Sequence, residues 1–277
     1  MQLFKTVGII GTGLIGGSLA QGIRKKKLAR RILGVSRSKK TALLARKMGI
    51  VDASSTELEL VKEADLVVFA APVEATLRLA PSVARIIDAK NCLVTDVAST
   101  KYLVAWRLSK LFPRYVGAHP LAGLEKSGVR FSKPEIFQKA MCVLTPLAST
   151  DPQALSKIRR MWQELGSKTV LLDPATHDRI LSMVSHLPHV VAFALMGSIP
   201  RGYLRYASGG LRDTTRIAAS DPDLWNEIFL TNRTQLIRAI ESFQTRISSF
   251  KKALSKNDRA RLKALMQQAR INREMLR

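Results

Sequence analysis

Serine, histidine and arginine recur in this chain inside short polar motifs: Ser99 in TDVASTK, His119 in GAHPLAG, His186 and His189 in SHLPH, and Arg212 and Arg216 in LRDTTRIAASDPDLW. Ser99 and His119 each follow an apolar, strand-like run, LVTDVA and YVGA. In an open parallel sheet, ligands sit beyond the carboxyl ends of the strands, so two such side chains share one crevice. A histidine placed there can take a proton from a bound hydroxyl. Each position also has a plainer reading: a core histidine at 119, and a helix-capping serine in A-S-T-K. Arg212 and Arg216 are four apart and share a helical face, where paired guanidiniums suit a substrate with two carboxylates; salt bridges to Asp213 or Asp221 are the alternative. His186 and His189 are three apart and can line one face. A metal would need a third ligand, and the remaining histidine, His177, lies in an exposed-looking DPATHD turn, so no metal site is expected.

The stretch KTVGIIGTGLIGGSLAQGI, residues 5–23, supplies the other half of the chemistry. A β-branched run, Val7 to Ile10, ends in G-x-G-x-x-G and passes into an amphipathic run beginning Leu14-Ile15. Gly11 allows the tight turn, Gly13 lets a pyrophosphate approach the helix-start amides, and Gly16 allows close packing of helix on strand. The helix start adds positive potential for the phosphates. A dinucleotide site is expected, the plainer reading being a glycine-rich turn with no ligand, and Ala71-Pro72, just past a later strand, offer small groups against a nicotinamide. About 20 residues beyond the glycines, NAD-binding units carry an acid for the ribose hydroxyls. Here Ile32-Leu33-Gly34-Val35 runs into Ser36-Arg37-Ser38-Lys39-Lys40 instead. A hydroxyl and a guanidinium bind a 2′-phosphate and no acid repels it, so NADP is expected, with NAD as the weaker alternative. A solvated basic turn is the plainer reading. With a nicotinamide beside Ser99 and His119, the expected chemistry is hydride transfer from a hydroxyl-bearing carbon.

Strand and helix patterns alternate to about residue 172, which calls for a mainly parallel sheet covered on both faces. Strands are predicted at 5–10, 31–35, 66–70, 92–96, 115–118, 141–145 and 168–172, with helices at 14–26, 38–48, 74–87, 99–111 and 151–165. After Pro174 only helical periodicity remains: 174–200, with a break near Pro188, then 203–219, 222–252 and 256–275. The fold class is therefore α/β, a Rossmann-type doubly wound sheet followed by an all-helical domain, divided as 1–172 and 173–277. The apolar stripe from Leu224 to Leu254 is longer than a surface helix needs, so a homodimer through the helical domain is expected.

The net charge of +24 over 277 residues raises a nucleic-acid reading. The basic residues are dispersed and aromatics are 6%, too few for a base-stacking platform. Steering of anionic ligands is a sufficient use for the field. No apolar run reads as membrane-spanning and no signal pattern precedes the first strand, so a cytoplasmic protein without membrane or nucleic-acid partners is expected. Cys92 and Cys142, the only cysteines, sit in apolar runs and read as reduced core thiols.

GTGLIGGSLA, TDVASTK, GAHPLAGLEKSG, SHLPH and LRDTTRIAASDPDLW resemble, in this order, the motifs of prephenate and arogenate dehydrogenases, the oxidoreductases that commit carbon to tyrosine. The resemblance covers nearly the whole chain. It implies a nucleotide domain and a helical dimerisation domain with the active site between them. It implies His119 as catalytic base, Ser99 as the serine joining hydroxyl, histidine and nicotinamide, Arg216 as a carboxylate clamp, His189 and His186 as pocket-lining groups, and Glu125 at the pocket mouth. Arg212 stands where some members have Lys, and Ser36-Arg37 replaces the acid of NAD-preferring members. Since nothing follows Arg277, an appended regulatory domain is expected to be absent, as is a preceding mutase domain. Prephenate is expected as substrate, with arogenate, or another two-domain hydroxy-acid dehydrogenase activity, as the alternative.

Overall fold

The computed structural model describes residues 2–123 and 126–276. Eight strands form one sheet: β1 (Phe4–Ile10), β2 (Ala29–Val35), β3 (Ala53–Ser55), β4 (Leu66–Phe69), β5 (Leu93–Asp96), β6 (Tyr115–Pro120), β7 (Met141–Thr145) and β8 (Lys168–Leu171). Their order is β3-β2-β1-β4-β5-β6-β7-β8. Strands β1 to β6 run parallel; β7 is antiparallel to β6, and β8 is parallel to β7. The chain winds outward from β1 in both directions, so a crevice opens between β1 and β4 at their carboxyl ends. The short edge strand β3 was not foreseen, since three half-buried residues, Ala-Ser-Ser, show no apolar alternation.

Helices α1 (Leu14–Lys25), α2 (Lys39–Lys47), α3 (Val73–Ile86), α4 (Tyr102–Leu108) and α5 (Pro152–Glu164) cover the sheet. One face packs Phe4, Ile9, Leu19, Ile23, Met161 and Trp162; the other packs Phe69, Val83, Val94, Leu108 and Phe112. Helix α4 is shorter than the expected 99–111 because Lys101 is its cap and Ser99 lies in the turn before it. Cys92 and Cys142 are buried and free of any disulfide.

Beyond β8, Asp173 caps α6 (Pro174–Leu181) by accepting from the Thr176 amide at 2.9 Å. The expected break near Pro188 takes the form of a π-helical turn, Ser182–His186, before α7 (Leu187–Ser198). Proline lacks an N–H and crowds the carbonyl four residues back, here Val184, and the widened turn absorbs both. The expected helix 203–219 resolves into a 3-10 turn (Arg201–Tyr206), α8 (Gly209–Thr215) and a second 3-10 turn (Arg216–Ala219). The expected helix 222–252 is broken at buried Asn232 into α9 (Pro222–Thr231) and α10 (Arg233–Ser255), with α11 (Arg259–Glu274) last. Asn232 leaves helical geometry because its amide group donates to the Asp178 carbonyl at 2.8 Å. On α9, Glu227 accepts from the Glu74 amide in the first turn of α3, joining the helical domain to the sheet domain.

The helical domain buries little by itself. Its packed centre is Leu187, Leu236 and Ala239, while Val184 (67%) and Leu254 (65%) stand exposed. Against the expectation that no run reaches spanning length, Pro174–Ser198 is a continuous 25-residue helical stretch apolar enough to cross a membrane, with 28% of its apolar window buried. It also carries two buried histidines and a buried aspartate, His177, Asp178 and His186.

At the start of α1, Gly11 has φ +105° and lies against the Ala70 carbonyl, and a Cβ on Gly16 would strike the Gly11 carbonyl oxygen. A Cβ on Gly13 would meet nothing within 4 Å. Gly16→Ala is therefore expected to lower stability by about 1–3 kcal/mol through overpacking, and Gly13→Ala to leave it within about 1 kcal/mol. Urea midpoints check this, and equal losses at both positions would contradict it.

Candidate active site in the interdomain cleft

The cleft between sheet and helical domain holds a cavity of about 720 Å³ lined by Ser99, His119, Lys126, Ser127, Ser185, His186, His189, Arg216, Asp221, Leu224 and Trp225, among others. Strand β6 delivers His119 from its carboxyl end, and the turn after β5 delivers Ser99. That turn is shaped by Asp96, whose carboxylate accepts from the Ala98 amide at 2.9 Å. Ser99 makes no cap to α4, so its hydroxyl is not occupied by that helix. The π turn and α7 deliver Ser185, His186 and His189, and the 3-10 turn after α8 delivers Arg216.

The five motif residues Ser99, His119, His186, His189 and Arg216 thus meet at one cavity. Arg212 does not: it is exposed on α8 outside the lining, and the helix ends at Thr215 before Arg216, so the two arginines do not share one regular helical face. Glu125 lies outside the described residues.

His177 corrects the expectation of an exposed turn residue, being fully buried. Its Nε2 is 2.8 Å from His119 Nδ1, and its Nδ1 is 2.8 Å from Asp178 Oδ1. Asp178 accepts from the backbone amides of Lys101 at 2.8 Å and Tyr102 at 2.9 Å, capping α4 from the neighbouring domain. Beneath this group the fully buried Lys101 ammonium pairs with Asp96, whose other oxygen accepts from the Tyr115 hydroxyl at 2.7 Å. Sequence reasoning missed Asp96, Lys101, His177 and Asp178. The Asp96/Lys101 spacing and the adjacent His177-Asp178 pair were visible signals, but nothing local shows that His177 meets a strand residue 58 positions earlier.

His189 stacks on Trp225 with ring centroids 3.4 Å apart, and its Nδ1–H donates to the Ser185 carbonyl at 2.9 Å. His186 Nδ1 lies 3.1 Å from Asn232 Nδ2, so the amide group donates and the His186 proton resides on Nε2. Burial lowers the basicity of all four histidines in the chain, most strongly His119, where His177, Lys101 and His186 add to the effect. His186 is lowered to about 4. His119 is thus a neutral imidazole near pH 7, able to accept a proton. Among the described residues, no group of three or more His, Cys, Asp or Glu is arranged to hold a metal ion.

A second cavity lies at the carboxyl ends of β1 and β2, lined by Gly11, Thr12, Gly13, Ser36, Arg37, Ser38, Lys40, Thr41 and, across from them, Ser127 to Phe131. Ser36 is buried and hydrogen-bonds Thr12, while Ser38 caps α2 by accepting from the Thr41 amide at 3.2 Å. Arg37 is exposed on the rim. Leu14 and Ile15 form the half-buried start of α1, and Ala71 and Pro72 bridge β4 to α3 beside Gly11. Open space at Gly13, glycine at 11 and 16, and a helix start facing the crevice fit a dinucleotide.

Comparison with known proteins agrees with this geometry along the chain. The model of the prephenate dehydrogenase nucleotide-binding domain matches residues 19–171, and that of the prephenate dehydrogenase dimerization domain matches residues 173–268. Prephenate dehydrogenase of Bacillus subtilis (strain 168) is 34% identical over 267 residues, covering 93% of this chain and 72% of that protein. The crystal structure of A. aeolicus prephenate dehydrogenase in complex with hydroxyphenyl propionate and NAD+ superposes with a TM-score of 0.93 at 32% identity, covering 99% of this chain and 98% of that one. That of Synechocystis arogenate dehydrogenase gives a TM-score of 0.85 at 30% identity, over 98% and 99%. With a nucleotide-binding domain, a helical dimerisation domain and a cleft of this composition between them, the chain belongs to the prephenate dehydrogenase family of oxidoreductases.

Proposed function

We propose that this chain converts prephenate to 4-hydroxyphenylpyruvate and CO2 in the cytoplasm, with NADP as the preferred hydride acceptor. The observation that carries the reading is the convergence of Ser99, His119 and Arg216 on one cavity. Our division of the chain into domains after residue 172 is supported by the change there from strand β8 to helix α6.

Prephenate is a cyclohexadiene with a hydroxyl-bearing carbon opposite a carbon carrying a carboxylate and a pyruvyl side chain. When bound, the dinucleotide supplies the acceptor for the hydride from the hydroxyl-bearing carbon. His119 Nε2 takes the hydroxyl proton as that carbon becomes a carbonyl, and Ser99 holds the oxygen. Loss of CO2 from the opposite carbon returns its electron pair to the ring and makes a phenolate, which recovers the proton from His119. The proton taken is the proton returned, so the base must be held in place and needs no path to solvent. Arg216 orients a carboxylate, and His186 and His189 wall the ring.

Two features support the finer assignments. Arg37, Lys40 and Arg130 line the cavity at the end of β2, and no carboxylate stands among its described lining residues, which suits a 2′-phosphate. The substrate cavity carries Lys126 and Arg216 against Asp221, whose Oδ1 already accepts from the Asp223 amide at 2.9 Å. Among the described lining residues the cations outnumber the carboxylate, and that carboxylate is engaged, which favours the keto side chain of prephenate over the ammonium of arogenate.

The deciding experiment is an assay of prephenate and arogenate, each with NAD and NADP. The highest kcat/KM is expected for prephenate with NADP, and Arg37→Ala should narrow the NADP advantage by about tenfold or more, the order of one charge-assisted contact. Equal or better use of NAD by the unaltered protein would overturn the cofactor choice, and turnover of arogenate alone would overturn the substrate.

Acid should act on rate and stability differently. Because His119 stays neutral well below the ordinary histidine range, the acid limb of kcat/KM is expected below pH ~6.5. Folding depresses all four histidines, so below pH ~6.5 the unfolded chain binds more protons and the folded state loses stability. Urea midpoints should fall between pH 7 and 5; an unchanged midpoint would contradict the neutral burial of these rings.

The uncovered apolar surface of α6, the π turn and α10, where Ile180, Met183, Val184, Ile237 and Leu254 stand exposed, is assigned to a second copy of the chain. Light scattering at micromolar concentration is expected to give twice 30.6 kDa, and a mass of 30.6 kDa alone would refute it.

A further inference from the structure

We infer that His177 is the positioning residue of the catalytic base, holding His119 in the tautomer with its proton on Nδ1 and its lone pair on Nε2. This rests on the reading of His119 as the base. The Asp178 carboxylate is fixed by the amides of Lys101 and Tyr102 and accepts from a third group, His177 Nδ1, at 2.8 Å. A carboxylate only accepts, so the neutral His177 ring carries its proton on Nδ1 and exposes a lone pair on Nε2. That lone pair is 2.8 Å from His119 Nδ1, which must therefore carry hydrogen and donate. The His119 proton is then on the inner nitrogen, and Nε2, on the other side of the ring, is the acceptor that deprotonation of a hydroxyl requires. Reversing either tautomer would set two lone pairs or two hydrogens against each other inside a buried site.

The surroundings agree. His177 is fully buried and His119 is 9% exposed, so no water competes for the contact. The groups facing the pair are Asp178 from α6, the Lys101–Asp96 ion pair from the β5–α4 turn, and His186 from the π turn. Lys101 opposes resting protonation of His119, while Asp178, through His177, supports the imidazolium that forms for the lifetime of the carbonyl intermediate. Since the overall reaction releases no proton, the chain His119, His177, Asp178 orients and stabilises; it does not conduct protons away.

The test compares His177→Phe and His177→Gln with the unaltered protein, using 15N-histidine spectra for ring tautomers alongside kinetics. In the unaltered protein the His119 signal is expected to be that of the Nδ1–H form; an Nε2–H form overturns the proposal before any variant is made. His177→Phe keeps a ring but no acceptor. It should move His119 toward Nε2–H and lower kcat by about 10²-fold, the scale of a misplaced catalytic group, with KM changed much less. His177→Gln, whose Oε1 can accept from His119 Nδ1–H, should recover much of kcat and the tautomer. A folded His177→Phe with unchanged kcat and an Nδ1–H His119 overturns the proposal. If His177→Phe does not fold, His177→Gln decides, since loss of kcat with the tautomer retained also overturns it. His119→Asn with near-normal turnover would instead refute the assignment of the base, a separate outcome.

Discussion

A carboxylate buried at the seam between two domains organises this candidate site. Asp178 is the fifth residue of its helix, yet its oxygens cap the start of a helix of the other domain and hold a histidine that touches His119 on β6. An acceptor with three N–H donors is worth far more than a surface ion pair, because each donor would otherwise be buried without a partner. The geometry of β6, α4 and α6 follows from satisfying that one group. Asn232 fastens the same seam from another side, its amide group turning from its helix to reach the Asp178 backbone carbonyl and His186.

The second layer is a fully buried lysine. Lys101 is held by Asp96, which is itself held by Tyr115 and the Ala98 amide, so neither charge lacks a partner. Such a pair contributes little net stability. Burial is the main cause that lowers the basicity of His119 and His177, and the Lys101 ammonium adds to it in both.

Much of this was legible in the sequence, and the gaps have physical reasons. The glycine turn, the alternation of strand and helix and the change at Pro174 are local patterns, and the corresponding elements form close to where they are expected. The motifs at Ser99, His119, His186, His189 and Arg216 converge because each sits at an element end facing the cleft. What was not legible is contact across distance. DPATHD reads as a polar turn, and only the docking of α6 on α4 buries its histidine. The long periodic stretch 222–252 gave no sign of its interruption, since Asn232 breaks the helix for partners 46 and 54 residues away. Arg212 and Arg216 looked equivalent by spacing, and the end of α8 between them separates their fates.

Glu227 and Asp178 do the same thing at two places: each is a carboxylate of the helical domain that accepts from an amide at the start of a sheet-domain helix, α3 for one and α4 for the other. Two fastenings at separate points remove the rotational freedom that one would leave. Swinging the domains apart would strip both helices of their terminal acceptors, at about 0.5–2 kcal/mol for each. The cleft is therefore a vice with its jaws already set. The width of the gap is tied to where the first turns of α3 and α4 sit in the backbone.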